Sequence, residues 1–486
     1  MTRYVGAIDQ GTTSSRFVVV DEDGVFVAMD QIEHEQILPR PGWVEHRPDE
    51  IWENTKTVID RALAQAGLTA SDLEGLGITN QRETAVVWDR ATGEAVANAI
   101  VWQDTRTAAI AKELTEAHGA DWFRQRTGLP PSTYFSGPKV RWLLDENPDL
   151  AARASNGELA FGTVDSWLAY KLTGEHVTDV TNASRTMLMD LERLTWDERL
   201  CDAVGVPMSM LPRIVPSIGE IAPCRGVLDG VPLAAILGDQ HAALVGQAAF
   251  DPGDTKVTYG TGAFLVSNTG TDIVRSGAGL LTTVAYQQAG HPAVYALEGS
   301  VAVAGSAVQW LRDNIGLIAE SPEIEDLALT VDDNGDVFFV PAFSGLFAPY
   351  WRDDARGVFA GLTRNTNKGH HARAVLEATA FQTRDVLGAM EQDTGTTLSE
   401  IKVDGGMVGN RLLMQFQADI SGMDVVVPAV VETTVLGAAF GAGLATSLWP
   451  SFDDLAAHWR EGARYTPDMD GAKRATLRSG WEKAVE

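Results

Sequence analysis

The sequence predicts an α/β chain of two similar domains facing each other across a central cleft. Three observations carry this. At 486 residues the chain is longer than one hydrophobic core ordinarily organises, since single cores stop growing near roughly 250–300 residues. Strand-like and helix-like apolar patterns interleave along the first hundred residues, as in α/β proteins. A strand–turn–strand pattern rich in Gly and Thr opens the chain and returns near its middle, at Asp254–Gly270.

In order along the chain, Tyr4–Ile8 and Arg16–Val20 are apolar strand-like runs joined by the small-residue turn GTTSS. A second turn, DEDG, leads into Val25–Met29. A loop with Pro39, Pro41 and Pro48 comes before a helical stretch. There Ile51, Val58, Ile59, Ala62 and Leu63 keep the spacing of one buried face. Strands at Gly75–Thr79 and Thr84–Asp89 follow. The segment Gln247–Asp254, with its Pro-Gly, is the expected crossing point, dividing the chain into domains 1–246 and 247–486. Beyond it, DTKVTYGTGAFLVSNTG repeats the layout of IDQGTTSSRFVVV rather than its residues. Helices are predicted at Val301–Asn314 and Ala372–Gln392, the second with most of its apolar positions on one face.

Composition narrows the function. A hydrophobic share of 45% and a charged share of 21% describe a globular protein. Sixty-six acidic against 38 basic residues give a formal charge of −28. That disfavours nucleic acid and anionic membrane as partners, because their phosphates demand the opposite sign. The acidity itself reads as solubility. Two cysteines, Cys201 and Cys224, imply no disulfide framework and suit a reducing cytoplasm. No apolar run approaches the roughly 20 residues of a membrane span, and Asp9 interrupts any leader-like start.

Chemistry concentrates in a few segments. In Asp9-Gln10-Gly11-Thr12-Thr13-Ser14-Ser15-Arg16 a strand ends in a carboxylate and a hydroxyl-rich turn follows. Backbone amides in such a turn can wrap a phosphate, with Asp9 holding a hydrated Mg²⁺ and Arg16 adding a charged donor. An ordinary hairpin is the alternative. No G-x-x-x-x-G-K-[ST] occurs, so the hairpin points to the actin-like class of nucleotide folds. The second loop, Tyr259-Gly260-Thr261-Gly262-Ala263-Phe264, can oppose the first across the cleft and clamp a polyphosphate. A third segment, VDGGMVGN at Val403–Asn410, lets a flat ligand approach the backbone at Gly405 and Gly406. Gly305 and Gln309 would complete an adenosine pocket there.

Asp239 ends the apolar run PLAAILG, at the mouth of the cleft. There it can accept a substrate hydroxyl proton and aim the oxygen at a γ-phosphate, or cap the helix that follows; the two roles are compatible. Asn80-Gln81-Arg82-Glu83, with Trp102, Tyr134 and Phe264, offers donors, acceptors and apolar walls for a polyol. A surface ion pair beside core aromatics is the plainer alternative.

These strings, together with PGWVEH, YFSGPKVRWLLD, VTNASRTML, ALEGSVAVAGSAVQWLRD, APYW and LMQFQADI, resemble the FGGY carbohydrate kinase family nearly end to end. NQRET with Trp102 and Tyr134 resembles its glycerol-phosphorylating branch. The resemblance implies two RNase H-like domains that close on ATP, Mg²⁺ and glycerol, giving sn-glycerol 3-phosphate and ADP in a cytoplasmic, glycerol-catabolising homo-oligomer (dimer or tetramer). It implies that Arg82, Glu83, Tyr134, Asp239 and Gln240 bind the hydroxyls, with Trp102 and Phe264 lining the carbon side. Thr12, Thr13, Ser14, Arg16 and Thr261 would hold phosphates. Gly305, Gln309, Gly406 and Asn410 would contact the rest of the nucleotide. Asp239 becomes the base and Asp9 the metal-side carboxylate, with Asp9 and Asp239 both expected at the metal. His241 departs from the glutamine many relatives carry, and is expected as a partly exposed helix histidine. Ala263 replaces a common Cys. Ser217–Leu237 holds no histidine, and no Gly-Arg loop for a sugar bisphosphate is recognisable, so neither regulatory device of some relatives is expected. Rival expectations are a sister kinase for a pentulose or erythritol and a non-enzymatic ATP-binding protein of actin type. A hydrolase lacks both G-x-S-x-G and H-E-x-x-H.

Overall fold

A computed structural model of the chain describes residues 2–343, 345–352 and 354–486. The opening apolar runs form three antiparallel strands, β1 (Tyr4–Gln10), β2 (Ser14–Asp21) and β3 (Phe26–Glu33). Val5, Ala7 and Ile8 have no exposure, so β1 is covered on both faces. Helix α1 (Pro48–Ala66) begins at Pro48, whose missing N–H costs nothing at a helix start. It ends at Gly67, where φ is 66°. The predicted stripe of Ile51, Val58, Ile59, Ala62 and Leu63 is its buried face. Strands β4 (Leu73–Asn80) and β5 (Pro232–Gly238) then run parallel to β1.

After α2 (Asp239–Gly246) the same layout recurs. Antiparallel β6 (Thr255–Tyr259), β7 (Ala263–Gly270) and β8 (Val294–Val301) come first. Helix α3 (Lys368–Thr394) contains the predicted Ala372–Gln392. Strand β9 (Glu400–Asp404), helix α4 (Arg411–Ser421), strand β10 (Asp424–Pro428) and helix α5 (Thr433–Ala445) follow. The first sheet reads β3-β2-β1-β4-β5, with Ile218–Pro223 added beyond β5. The second reads β8-β7-β6-β9-β10 between Leu281–Tyr286 and Glu461–Tyr465. The duplication glimpsed in the sequence is therefore one of topology, as two actin-like (RNase H-like) domains require.

One predicted boundary moves. Val301 ends β8, and the expected helix at Val301–Asn314 begins only at Gly305, running to Trp310 and then a wider π-helical turn over Leu311–Ile315. A β-branched apolar run reads alike as strand or helix, and pairing with β7 decides for strand here.

The halves are joined by exchanged helices. Helix α5 follows β10 yet lies on β1, β4 and β5 of the first sheet, while α2 follows β5 and reaches β6 and β7. Val5, Ala7 and Val18 share one core with Val435, Ala438 and Phe440. The two helices cross at van der Waals limit: a Cβ on Gly437 would sit 1.8 Å from the Ala242 carbonyl oxygen. Since α2 carries Asp239 at its first position, this crossing ties the placement of that carboxylate to α5 of the second half. Gly437→Ala is expected to force the helices apart at a cost of about 1–3 kcal/mol, lowering Tm by about 5 °C. An unchanged thermal transition would show that the crossing relaxes freely.

Candidate active site

The first turn, between β1 and β2, is held from behind. The carbonyl of Gly11 accepts from Gln81 Nε2 at 3.2 Å, that of Thr12 from Gln36 Nε2 at 3.0 Å, and that of Thr13 from the His34 amide at 3.0 Å. In a trans peptide the next N–H points the opposite way. Tying the carbonyls inward thus turns the following amides toward the cleft. Asp9 lies near the end of β1. Burial pushes its carboxyl up to about 6, against the pull of Arg16, while Asp239 and Glu432 add to the rise. Arg16 is itself engaged, by Glu432 of the second half and by Gln31 Oε1 at 3.1 Å. The Ser14 hydroxyl accepts from Gln31 Nε2, and that of Thr12 from Trp102 Nε1. Thr13 is exposed.

Three glycine segments converge where β6 ends. Gly305 N donates to Gly260 O at 3.0 Å, and the Thr261 carbonyl accepts from the amides of Ala304 and Ser306. Gly405 has φ of 94°, and a Cβ on it would lie 2.4 Å from Tyr259 O, so only glycine fits this approach. Gly406 faces open space. The side chain of Asn410 caps α4 by accepting from Leu413 N at 2.8 Å. Gln309 is exposed on the short helix beginning at Gly305. The second and third predicted loops are thus one assembly, built by the second half alone.

The predicted polyol residues also meet, but not as neighbours in sequence suggest. Arg82 and Glu83 are buried, which rules out a surface ion pair. Glu83, at φ of 58°, turns its carboxylate to Arg185 Nε at 2.6 Å. Arg82 places Nε 3.0 Å from Asp239 Oδ1, Nη2 3.4 Å from the Tyr134 hydroxyl, and both Nη atoms on Glu298. Asp239 Oδ1 also accepts from the Gln240 amide at 2.7 Å. Asp239 Oδ2 receives no hydrogen bond among the described residues. The Trp102 ring lies 5.7 Å from Tyr134 and 6.2 Å from Phe264, both nearly edge-on, giving three aromatic walls. Phe264 comes from β7, so both halves build this pocket.

Several participants carry no local signal. Glu298 on β8 accepts from Arg82 and, at 3.1 Å, from Arg185. Burial favours its neutral form, but the two guanidiniums outweigh that and hold it well below the usual carboxylate range. Lys256 on β6 is fully buried and donates to Gln240 Oε1 and, at 2.9 Å, to Thr258 Oγ1. Burial lowers its ammonium to about 8, opposed by Asp404 and Asp239. Lys139, also buried, donates to the carbonyls of Thr133, Tyr134 and Phe135, and so fixes the segment that presents Tyr134. Asp179 accepts from Thr181 Oγ1 at 2.9 Å, and that same oxygen accepts from the Gly238 amide at 2.9 Å, steadying the residue before Asp239. His241 is fully buried rather than partly exposed, with Nε2 3.2 Å from Thr283 Oγ1. Burial lowers its pKa far below the usual value, which keeps it neutral.

A duplicated α/β fold whose halves meet over a carboxylate, an arginine and three glycine turns has the build of a two-domain kinase. The chain belongs to the FGGY family of carbohydrate kinases: the family's N-terminal domain matches residues 4–246 and its C-terminal domain residues 255–446. It is 60% identical over 490 residues to a glycerol kinase of Chloroflexus aggregans, covering 100% of this chain and 98% of that protein. It is 58% identical over 493 residues to glycerol kinase 2 of Streptomyces coelicolor, covering 99% and 96%. Among solved structures, the glycerol kinase of Plasmodium falciparum with ADP superposes with a TM-score of 0.94 at 38% identity, covering 100% of this chain and 98% of the other. A xylulose kinase from Lactobacillus acidophilus shares the fold, with a TM-score of 0.89 at 23% identity over 99% and 96% of the two chains.

Proposed function

We propose that this protein transfers the γ-phosphate of ATP to glycerol, giving sn-glycerol 3-phosphate and ADP. The observation that carries this is the cluster of Trp102, Tyr134 and Phe264, joined to the Arg82–Asp239 pair through the Tyr134 hydroxyl. Three large rings leave room for a short carbon chain and favour a triol over a pentulose or erythritol. Full-length kinship with named glycerol kinases supports the same choice.

In this mechanism Arg82 and the Gln240 amide hold Asp239 Oδ1, leaving Oδ2 to take the proton of the attacking hydroxyl. Phosphoryl transfer needs mainly alignment and charge neutralisation. The outward amides of the first turn and the loop at Thr261 supply the donors, and Gly305, Gln309, Gly406 and Asn410 border the adenosine side. Asp9 and Asp239 would hold Mg²⁺ together with nucleotide phosphates. A half-buried Asp9 that opens on the cleft, with its proton affinity raised, fits a cation. No group of three or more metal-ligating side chains occurs among the described residues, and Mg²⁺ commonly uses one or two carboxylates plus phosphates. Bound there, Mg²⁺ neutralises phosphate charge. We place the enzyme in the cytoplasm as a homo-oligomer. Its two buried free cysteines, and the lack among the described residues of any helix able to cross a membrane, agree with the former.

A coupled ADP-release assay over glycerol, erythritol, xylulose and ribulose tests the substrate. Glycerol is expected to be used far better than the rest. Arg82→Ala is expected to raise the glycerol KM at least about a hundredfold, since it removes charged hydrogen bonds of about 1.5–3 kcal/mol each. Preference for another member of the panel, or an unchanged glycerol KM in the variant, would overturn the pocket.

A further inference from the structure

Gln240 is mostly buried at the second position of α2, beside Asp239. A carboxamide can face its site with either end, and which end it presents decides whether it donates or accepts. Here the choice is made by Lys256. An ammonium has three donors and no acceptor, so the Gln240 atom it touches is the carbonyl oxygen. The amide nitrogen is thereby turned away, and it finds no protein acceptor among the described residues. Lys256 is anchored in turn by Thr258 Oγ1, two residues along the same strand. It forms no salt bridge with a carboxylate among the described residues, although such a partner would offset the cost of burying its charge. What the buried charge does accomplish is to fix one amide.

We propose that Lys256 is a specificity-determining positioning residue of the acceptor site, holding Gln240 as a hydrogen-bond donor toward one hydroxyl oxygen of the polyol. The inference rests on the glycerol pocket proposed above. It adds that the second half selects the substrate from beneath, since Lys256 lies on β6 while Gln240 follows β5. A site fixed in this way rejects a substrate with no oxygen at that place, because the donor, once covered by the bound substrate, would be left unpaired.

The test uses the full-length enzyme. Lys256→Met, nearly isosteric, is expected to raise the glycerol KM about tenfold, with kcat changed less and the ATP KM within about twofold. Propane-1,2-diol and propane-1,3-diol each lack one glycerol hydroxyl and serve as competitive inhibitors. The diol lacking the oxygen that Gln240 serves should keep its inhibition constant in the variant, while the other weakens about tenfold. An unchanged glycerol KM, or equal weakening of glycerol and both diols, would overturn the assignment, the latter marking a merely structural lysine. If Lys256→Met does not fold, Gln240→Glu carries the test. Its carboxylate keeps Lys256 paired but donates nothing, so the glycerol KM should again rise about tenfold, and no rise would overturn the proposal. Wild-type enzyme that fails to use glycerol would sink the pocket itself, whereas normal wild-type turnover with an indifferent Lys256→Met sinks this inference alone.

Discussion

Asp239→Asn is expected to lower kcat by about a thousandfold or more while leaving the fold and the glycerol KM nearly intact. Asparagine matches aspartate in shape and can still present an oxygen to Arg82 Nε and the Gln240 amide, the two groups that hold Oδ1. What it cannot do is accept a proton at the position of Oδ2, where it places an NH₂ instead. General base catalysis by a positioned carboxylate is worth about 10²–10⁴. Loss of a carboxylate that in the proposed mechanism would also hold Mg²⁺ adds to that, so the upper part of the range is expected. Steady-state kinetics with saturating Mg·ATP measures it, and circular dichroism with thermal melting checks the fold. Turnover within about tenfold of wild type would remove Asp239 as base and leave alignment alone to account for the rate.

How much of this site the sequence discloses depends on what each residue's signal is made of. Asp9, the GTTSS turn, Gly405–Gly406 and Asp239 are legible because the chemistry sits at strand ends followed by small residues, a pattern local to a few positions. The strands themselves are legible because β1 and β5 are covered on both faces and read as unbroken apolar runs. Lys256 is hidden for the opposite reason. In the alternating run TKVTY it reads as the solvent side of a strand whose core side is Val257, and only α2, packed over that face, makes it interior. Glu298 and Arg185 are equally silent, since a single charge in a strand or loop acquires meaning only from a partner far away in sequence. Both lie inside strings that carry the family resemblance, VTNASRTML and ALEGSVAVAGSAVQWLRD, which was the one available hint. The adjacency of Arg82 and Glu83 misleads in the same way. Backbone geometry at Glu83 sends the two side chains to different partners, and the pair that matters is Arg82 with Glu298.

That last pairing sets the second large effect. Glu298→Ala is expected to cost about 3–5 kcal/mol of stability and to weaken glycerol at least about tenfold. Glu298 is fully buried and balances two arginines at once: Arg82 through both of its Nη atoms, and Arg185 through Nη2 at 3.1 Å. With it gone, Arg185 keeps Glu83, but Arg82 keeps only Asp239 as a counter-charge, a carboxylate that is one-third exposed. A buried guanidinium short of a counter-charge draws in water or shifts toward the remaining anion. Either response displaces Nε from Asp239 and Nη2 from Tyr134. Glu298 stands on β8 of the second sheet and Arg82 just beyond β4 of the first, so the same substitution also loosens the seam between the halves. Thermal unfolding with and without glycerol separates the two consequences, and Glu298→Gln, which keeps the volume and loses the charge, separates charge from cavity. The glutamine variant is expected to fall most of the way to the alanine one. A glutamine variant as stable as wild type, with an unchanged glycerol KM, would mean that Arg82 is held by shape and by Asp239, and that the charge reaching it from the second sheet adds nothing to the site.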